Sequence, residues 1–196
     1  MILLWAVLAG ILVGLGLEGI KGRVWHPPIF RSLWLVFLGF FPQWIAFYLP
    51  LTRRLIPDQL ASICLVASQT LLMFFAFANR RLPGMLVLIV GLLCNLAVIA
   101  ANNGFMPLPI EAAANLVSRN ALNSIPIGER ISSASKDVLL PESQILLPWL
   151  ADRFVSPGFI SYRFAFSLGD VFISAGAFWT LLKGSVSSAD VNSGDP

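Results

Sequence analysis

The chain has 196 residues, of which 57% are hydrophobic and only 12% charged, with 15 Phe and 6 Trp. A soluble domain carries about 25% charged residues, so this composition excludes an ordinary water-soluble globule and points to lipid as the surrounding solvent. The net charge of +3 is small and scattered, which excludes the concentrated basic face that nucleic-acid binding requires.

The first apolar run covers residues 2–20. No basic residue precedes it and no small-x-small cleavage site follows, so it reads as a retained helix and not as a signal peptide. Ala6, Gly10 and Gly14 form a small-residue stripe on it, the usual mark of close packing against another helix of the chain or another subunit. Lys21, Arg23 and Arg31 follow, around the stiff Trp25-His26-Pro27-Pro28 segment. The second run, 33–51, carries Pro42 near its middle, where the missing N–H predicts a kink. Arg53, Arg54 and Asp58 make the next turn, and the third run covers 60–78. Asn79-Arg80-Arg81-Leu82-Pro83-Gly84 then leads into the fourth, 84–102. Connections this short predict that sequential helices lie antiparallel and adjacent.

Residues 103–157 are mixed in character and interrupted by prolines. This predicts a partly helical extramembrane loop, with 110–117 as a short surface helix and Pro148-Trp149-Leu150 as an interfacial contact. The fifth run, 159–182, is the least apolar. The Gly- and Ser-rich tail 184–196 has nothing to bury and is expected to be disordered. The fold expected is all-α: a polytopic membrane helix bundle of about five transmembrane helices, a single membrane domain over 1–183. Discounting the long loop, six basic residues fall on one side of the bundle and two on the other. The positive-inside rule then places the N-terminus outside and the C-terminus in the cytoplasm.

Asp170 is the most informative residue, because a carboxylate within an apolar helix costs about 2.5 kcal/mol or more unless paired or wetted. Arg163 and Ser167 precede it by seven and three residues, so one continuous helix would put all three on one face. Asn95 and Asn102, also seven apart, share a face of helix four, with Asn103 beside them. One reading is a polar pocket between helices four and five for an ion, a proton or a small ligand. The other is a hydrogen-bonded cluster that locks the two helices together. Gln43, Gln69 and Asn95 sit mid-helix and either line a pathway or glue helices. Cys64 and Cys94 read as buried small hydrophobes. His26 is the one histidine, so no multi-His metal site is expected, and no cofactor is implied. Gly14-Leu15-Gly16-Leu17-Glu18-Gly19 lacks the strand–helix context of a dinucleotide loop. Ser133-Ala134-Ser135-Lys136 lacks companion motifs for a serine nucleophile. No catalytic residue is assigned.

Two blocks carry a family resemblance. Leu82-Pro83-Gly84-Met85 opens a helix that contains Asn95 and runs into Asn102-Asn103-Gly104-Phe105-Met106-Pro107; Phe166-Ser167-Leu168-Gly169-Asp170-Val171 lies in the last helix. Together they resemble a family of uncharacterised bacterial multispanning membrane proteins, known only as a domain of unknown function. The resemblance implies a small protein of the bacterial inner membrane and implies no reaction. It also implies a basic residue after the glycine that precedes Met-Pro, where this chain has Phe105; Arg163 would then have to serve as counter-ion.

Three functions fit these observations. The first is a non-enzymatic bundle acting as accessory or scaffold subunit, with lipid and other membrane subunits, or further copies of itself, as partners. The second is a small transporter or ligand-binding protein with its polar site between helices four and five. The third is an enzyme acting on lipid.

Overall fold

The computed structural model describes residues 2–158 and 163–184. Helix α1 (Ile2–Ile20) is apolar on every side except at Glu18 in its last turn, and only Gly10 and Gly14 on it are buried. Helix α2 (Trp34–Gln43) passes directly into a π-helical turn at Trp44–Tyr48. Pro42 cannot donate to the carbonyl four residues back, and the ladder re-forms one residue wider just beyond it. Helix α3 (Asp58–Ala78) starts after Pro57, with Asp58 in its first turn, where the helix dipole favours an acid. Helix α4 (Met85–Ala101) follows Gly84, whose φ of +84° belongs to the left-handed region that glycine enters freely. Of these, α1 and α3 are long and apolar enough to cross a membrane, while Trp34–Tyr48 and Met85–Ala101 are shorter apolar helices.

The segment after α4 forms a cap. It contains strand β1 (Met106–Pro109), the short helices α5 (Ile110–Ala113) and α6 (Arg119–Asn123), and strands β2 (Asp137–Leu140), β3 (Phe154–Val155) and β4 (Ala165–Phe166). Strand β1 pairs in parallel with β2, Met106 opposite Asp137 and Pro109 opposite Leu140. Strand β3 pairs antiparallel with β4, Phe154 opposite Phe166. The partly helical loop expected from sequence is thus organised by two strand pairs as well. Helix α7 (Leu168–Lys183) closes the fold. It begins at 168 and not at 159, because β4 holds the preceding residues extended and Ser167 caps the first turn. Residues 159–162 lie outside the described residues, as does the tail from 185.

The helices pack in the spatial order α1, α7, α4, α3, α2, an arc with the first two helices of the chain at its ends. The expectation that all sequential helices pack together holds for α2 with α3 and α3 with α4, but α1 turns away from α2 and packs on α7. Small residues cause this. A Cβ on Gly10 would meet the Phe178 carbonyl oxygen at 2.8 Å, and one on Gly14 would meet Trp25 Nε1 at 2.6 Å. The other side of α7 is as close to α4. A Cβ on Gly91 would meet Ile173 N at 2.6 Å, and one on Gly176 would meet the Gly84 carbonyl at 2.7 Å.

The connection between α1 and α2 is clipped to both arms of the arc. Trp25 Nε1 donates to the Leu181 carbonyl on α7 (3.1 Å), while Asn79 at the end of α3 accepts from Arg31 N (2.7 Å) and donates to Arg31 O (2.9 Å). At the opposite rim the cap is held by a core of Phe47, Leu65, Val98, Ile99, Phe105 and Met106. Arg130 pins it further, pairing with Asp58 at 2.7 Å with its guanidinium over the rings of Phe47 and Phe105.

Candidate functional site

The first turn of α7 builds one half of the site. Ser167 is fully buried at the N-cap, where its Oγ accepts from Asp170 N (3.1 Å) and its own N–H donates to Asp170 Oδ2 (3.3 Å). This reciprocal arrangement is a capping box with an aspartate in place of the usual glutamate. The remaining valences point across to α4. Asn95, 4% exposed, donates from Nδ2 to Asp170 Oδ1 (2.8 Å) and accepts at Oδ1 from Ser167 Oγ (2.9 Å). The three side chains therefore close a ring that joins α4 to α7. Gly169 lies against Asn95 so closely that any side chain there would overlap the amide oxygen.

That ring forms part of the wall of a cavity of about 550 Å³ enclosed by the arc of helices and roofed by the cap. Gln43 of α2, Gln69 of α3 and Asn95 of α4, singled out in the sequence as mid-helix amides, all line it. Gln43 Nε2 donates to Ser68 Oγ (2.7 Å), whose hydroxyl in turn donates to the Gly39 carbonyl. The roof is charged. Lys136 Nζ lies 2.6 Å from Asp152 Oδ2 and 3.2 Å from Asp137 Oδ1, and all three residues line the cavity with Asp170. A second compartment of about 410 Å³ continues along the helices away from the cap. Its lining is apolar and includes Val7, Phe30, Leu33, Leu88 and Ala177; it shares Leu3, Val36, Leu72, Leu92 and Ile173 with the first.

Charge and hydrogen bonding at the polar end are out of balance. Burial pushes the Asp152 carboxyl up to about 8; the Lys136 ammonium opposes the rise, and Asp137 and Asp170 add to it. Burial also disfavours the charge on Lys136, but the carboxylates of Asp137, Asp152 and Asp170 outweigh it and keep the ammonium protonated well above the usual lysine range. Asp152 Oδ1, Gln69 Oε1 and Ser174 Oγ are buried without a hydrogen-bond partner among the described residues. Asp152 is 1% exposed and Ser174 8%, and both line the cavity.

The other sequence candidates take separate places. Arg163 is exposed and donates to the Asn115 carbonyl at 3.1 Å, so it does not share a face with Asp170 and is not its counter-ion; the cation at the cavity is Lys136. Asn102 works as a latch, donating to Leu146 O (2.8 Å) and accepting from Leu146 N (3.0 Å), far from the Asn95 ring in role. Asn103 is exposed with φ at +55° and ends α4 together with Gly104, which rests on Ser62. Ala6 belongs to the α1 stripe whose glycines contact α7 and Trp25, so the stripe is used inside the chain. Asp137 and Asp152 escaped the sequence reading, and Lys136 entered it only as the end of the Ser133-Ala134-Ser135-Lys136 motif. In Ser133-Ala134-Ser135-Lys136 no serine is bonded to the lysine: Ser135 Oγ donates to Asp137 Oδ2 at 2.9 Å, and the Lys136 ammonium is bonded to Asp152.

A cavity between helices, with carboxylates and amides at one end, defines a helical protein with a polar interior site but names no reaction. Residues 29–182 match the profile of a family described as a family of unknown function (DUF5317), and the chain belongs to that family. No curated protein and no solved structure matches it.

Proposed function

We propose that the chain is a multi-pass membrane protein of the bacterial inner membrane, with five helical segments in the bilayer, and that its inter-helical cavity binds a small ligand. The observation that carries the binding role is Asp152, 1% exposed on a cavity wall with one oxygen unpartnered among the described residues. A buried polar oxygen without a partner costs about 1–3 kcal/mol whether its carboxyl is ionised or protonated; a structural lock would satisfy both oxygens. The membrane placement is supported by the outer faces of the helices. Trp5, Leu12, Trp34, Phe37, Ile63 and Leu86 are each more than 60% exposed. Such a surface belongs in lipid or against a partner.

Lys21, Arg23, Arg31, Arg80, Arg81 and Lys183 all follow from the helix ends opposite the cap. The positive-inside rule then puts that rim in the cytoplasm and the cap and N-terminus outside. The scaffold reading draws on the α1 stripe, which here serves α7 of the same chain; the cavity favours ligand binding over it.

Native mass spectrometry of protein extracted from its own membranes in a mild detergent tests this. The protein should carry a small-molecule adduct. Ser174→Trp or Val36→Trp, each placing an indole in the cavity, should lose it while circular dichroism stays helical. An adduct-free protein, or an adduct indifferent to both substitutions, overturns the reading.

A further inference from the structure

Resting on that reading, we infer that the ligand is a single-chain amphiphile with a hydrogen-bond-donating, non-anionic head, an amine or a polyol, which enters sideways from the bilayer between α1 and α2. Three observations converge on this. The polar end offers acceptors. Gln69 Oε1, unpartnered among the described residues, can only accept; Asp152 Oδ1, also unpartnered, accepts where a cationic head holds its carboxyl ionised, and Ser174 Oγ can accept as well as donate. The charged groups facing that end are Lys136 against Asp137, Asp152 and Asp170, so an anionic head would meet an excess of carboxylates with the one ammonium already occupied by two of them. A head that brings N–H or O–H groups satisfies the acceptors; a phosphate or carboxylate does not.

The second observation is the continuity of the charged compartment with the apolar one. They share five lining residues and follow α7 from Asp170 to Leu181, about 16 Å at 1.5 Å per residue. Together they stay within about 1,000 Å³, the upper end of small-ligand sites, which leaves room for one hydrocarbon chain. The third is the gap in the arc. Helices α1 and α2 each pack on another helix and form no paired interface with each other. Leu3 on one side and Phe37 and Phe40 on the other line the cavity while being 43%, 70% and 52% exposed. The slot therefore opens through the apolar face of the molecule, where lipid chains would lie.

The test uses the full-length protein in phospholipid nanodiscs and follows its thermal unfolding with dodecylamine, monolauroylglycerol, laurate or free glycerol added, with Ser174→Trp as the blocked control. Dodecylamine and monolauroylglycerol should stabilise the protein saturably and leave the control unmoved, and laurate and glycerol should do neither. Asp137→Asn, which removes one of the carboxylate charges facing the head, should weaken dodecylamine about tenfold and leave monolauroylglycerol unchanged. Gln69→Leu, which removes an acceptor with no partner in the protein, should weaken monolauroylglycerol without loss of fold. Laurate binding as well as dodecylamine overturns the head assignment, and glycerol binding as well as its ester overturns the amphiphile; both leave a ligand-binding cavity standing. No saturable effect from any probe, with a co-purified adduct still lost in Ser174→Trp, overturns the inference alone. No effect and no adduct overturn the cavity reading with it.

Discussion

Asp170 does two things with one carboxylate: Oδ2 caps α7 and Oδ1 holds Asn95 of α4. Replacing Asn95 by Leu should therefore cost about 1–3 kcal/mol, since it orphans both the Asp170 carboxylate and the Ser167 hydroxyl. Asp170→Asn keeps only one of the two acceptors, so it breaks either the cap bond from Ser167 N or the bond from Asn95, and should cost about 0.5–1.5 kcal/mol, less than Asn95→Leu. Chemical denaturation in mixed micelles compares the two, and equal losses would mean that charge and not hydrogen bonding holds the ring. Asp152 makes a pH prediction. Its value of about 8 in the folded protein stands above about 3.9 in an unfolded chain, so folding favours the protonated form. That contribution is complete below roughly pH 4 and is lost as the pH rises through roughly 8. The thermal midpoint in detergent should fall from about pH 4 to about pH 8 and level off above it, and Asp152→Asn should flatten the fall; an unchanged slope would assign the titration elsewhere. In the sequence Asn95, Ser167 and Asp170 stand out because polar groups are rare in apolar runs. The geometry that joins them was misread, since Ser167 and Asp170 are three apart as a cap and its partner, not as neighbours on a continuous helical face. Asp152 was not legible at all, and Lys136 stood out only in a motif whose chemistry it does not serve. In a polar loop a charge reads as solvated, and only tertiary packing brings these two, 16 residues apart, into contact under the roof.

Among the elements, α7 is the one on which the others depend, because it packs between α1 and α4. Gly84 and Gly91 on one side and Gly169 and Gly176 on the other are each seven apart, and at all four an added Cβ would collide with the facing helix. Gly176→Val should force α4 and α7 apart at a cost of about 1–3 kcal/mol or more. Gly19, with open space around it, should accept Ala and gain up to about 1 kcal/mol of helix propensity. Thermal unfolding of the two variants in the same detergent compares them directly, and equal tolerance would sink the close-packing account. The runs at 2–20, 60–78 and 84–102 were visible because apolar length is a strong signal, and they correspond to Ile2–Ile20, Asp58–Ala78 and Met85–Ala101. The start of α7 was hidden because Phe164, Ala165 and Phe166 are as apolar as a helix, while their pairing with β3 is decided by tertiary contact. The strands of the cap are two to four residues long, too short to carry a period of two.

At the level of the whole molecule, large aromatic and aliphatic side chains such as Trp5, Phe37 and Leu86 stand exposed on the helices while Asn95, Asp152 and Ser167 are buried. The protein should accordingly stay in the membrane fraction after alkaline extraction. In a cysteine-free background, Ser132→Cys in the cap should react with a membrane-impermeant maleimide in intact cells, and Arg80→Cys should react only after lysis. The opposite pattern would invert the orientation. Helix α4, with 17 residues, is about 26 Å long, shorter than a hydrocarbon core of about 30 Å. In the membrane placement proposed above, the cap would then sit at or below the level of the lipid headgroups on its side, with Lys136 and Asp152 close to membrane depth.

The clips at Trp25 and Asn79 close the rim on the side away from the cap, as the cap closes the other. With both rims tied, a ligand entering as inferred above would have the lateral slot as its way in, past the exposed rings of Phe37 and Phe40. Occupancy would then track how much of a compound is dissolved in the surrounding leaflet, and its aqueous concentration would matter only through partitioning.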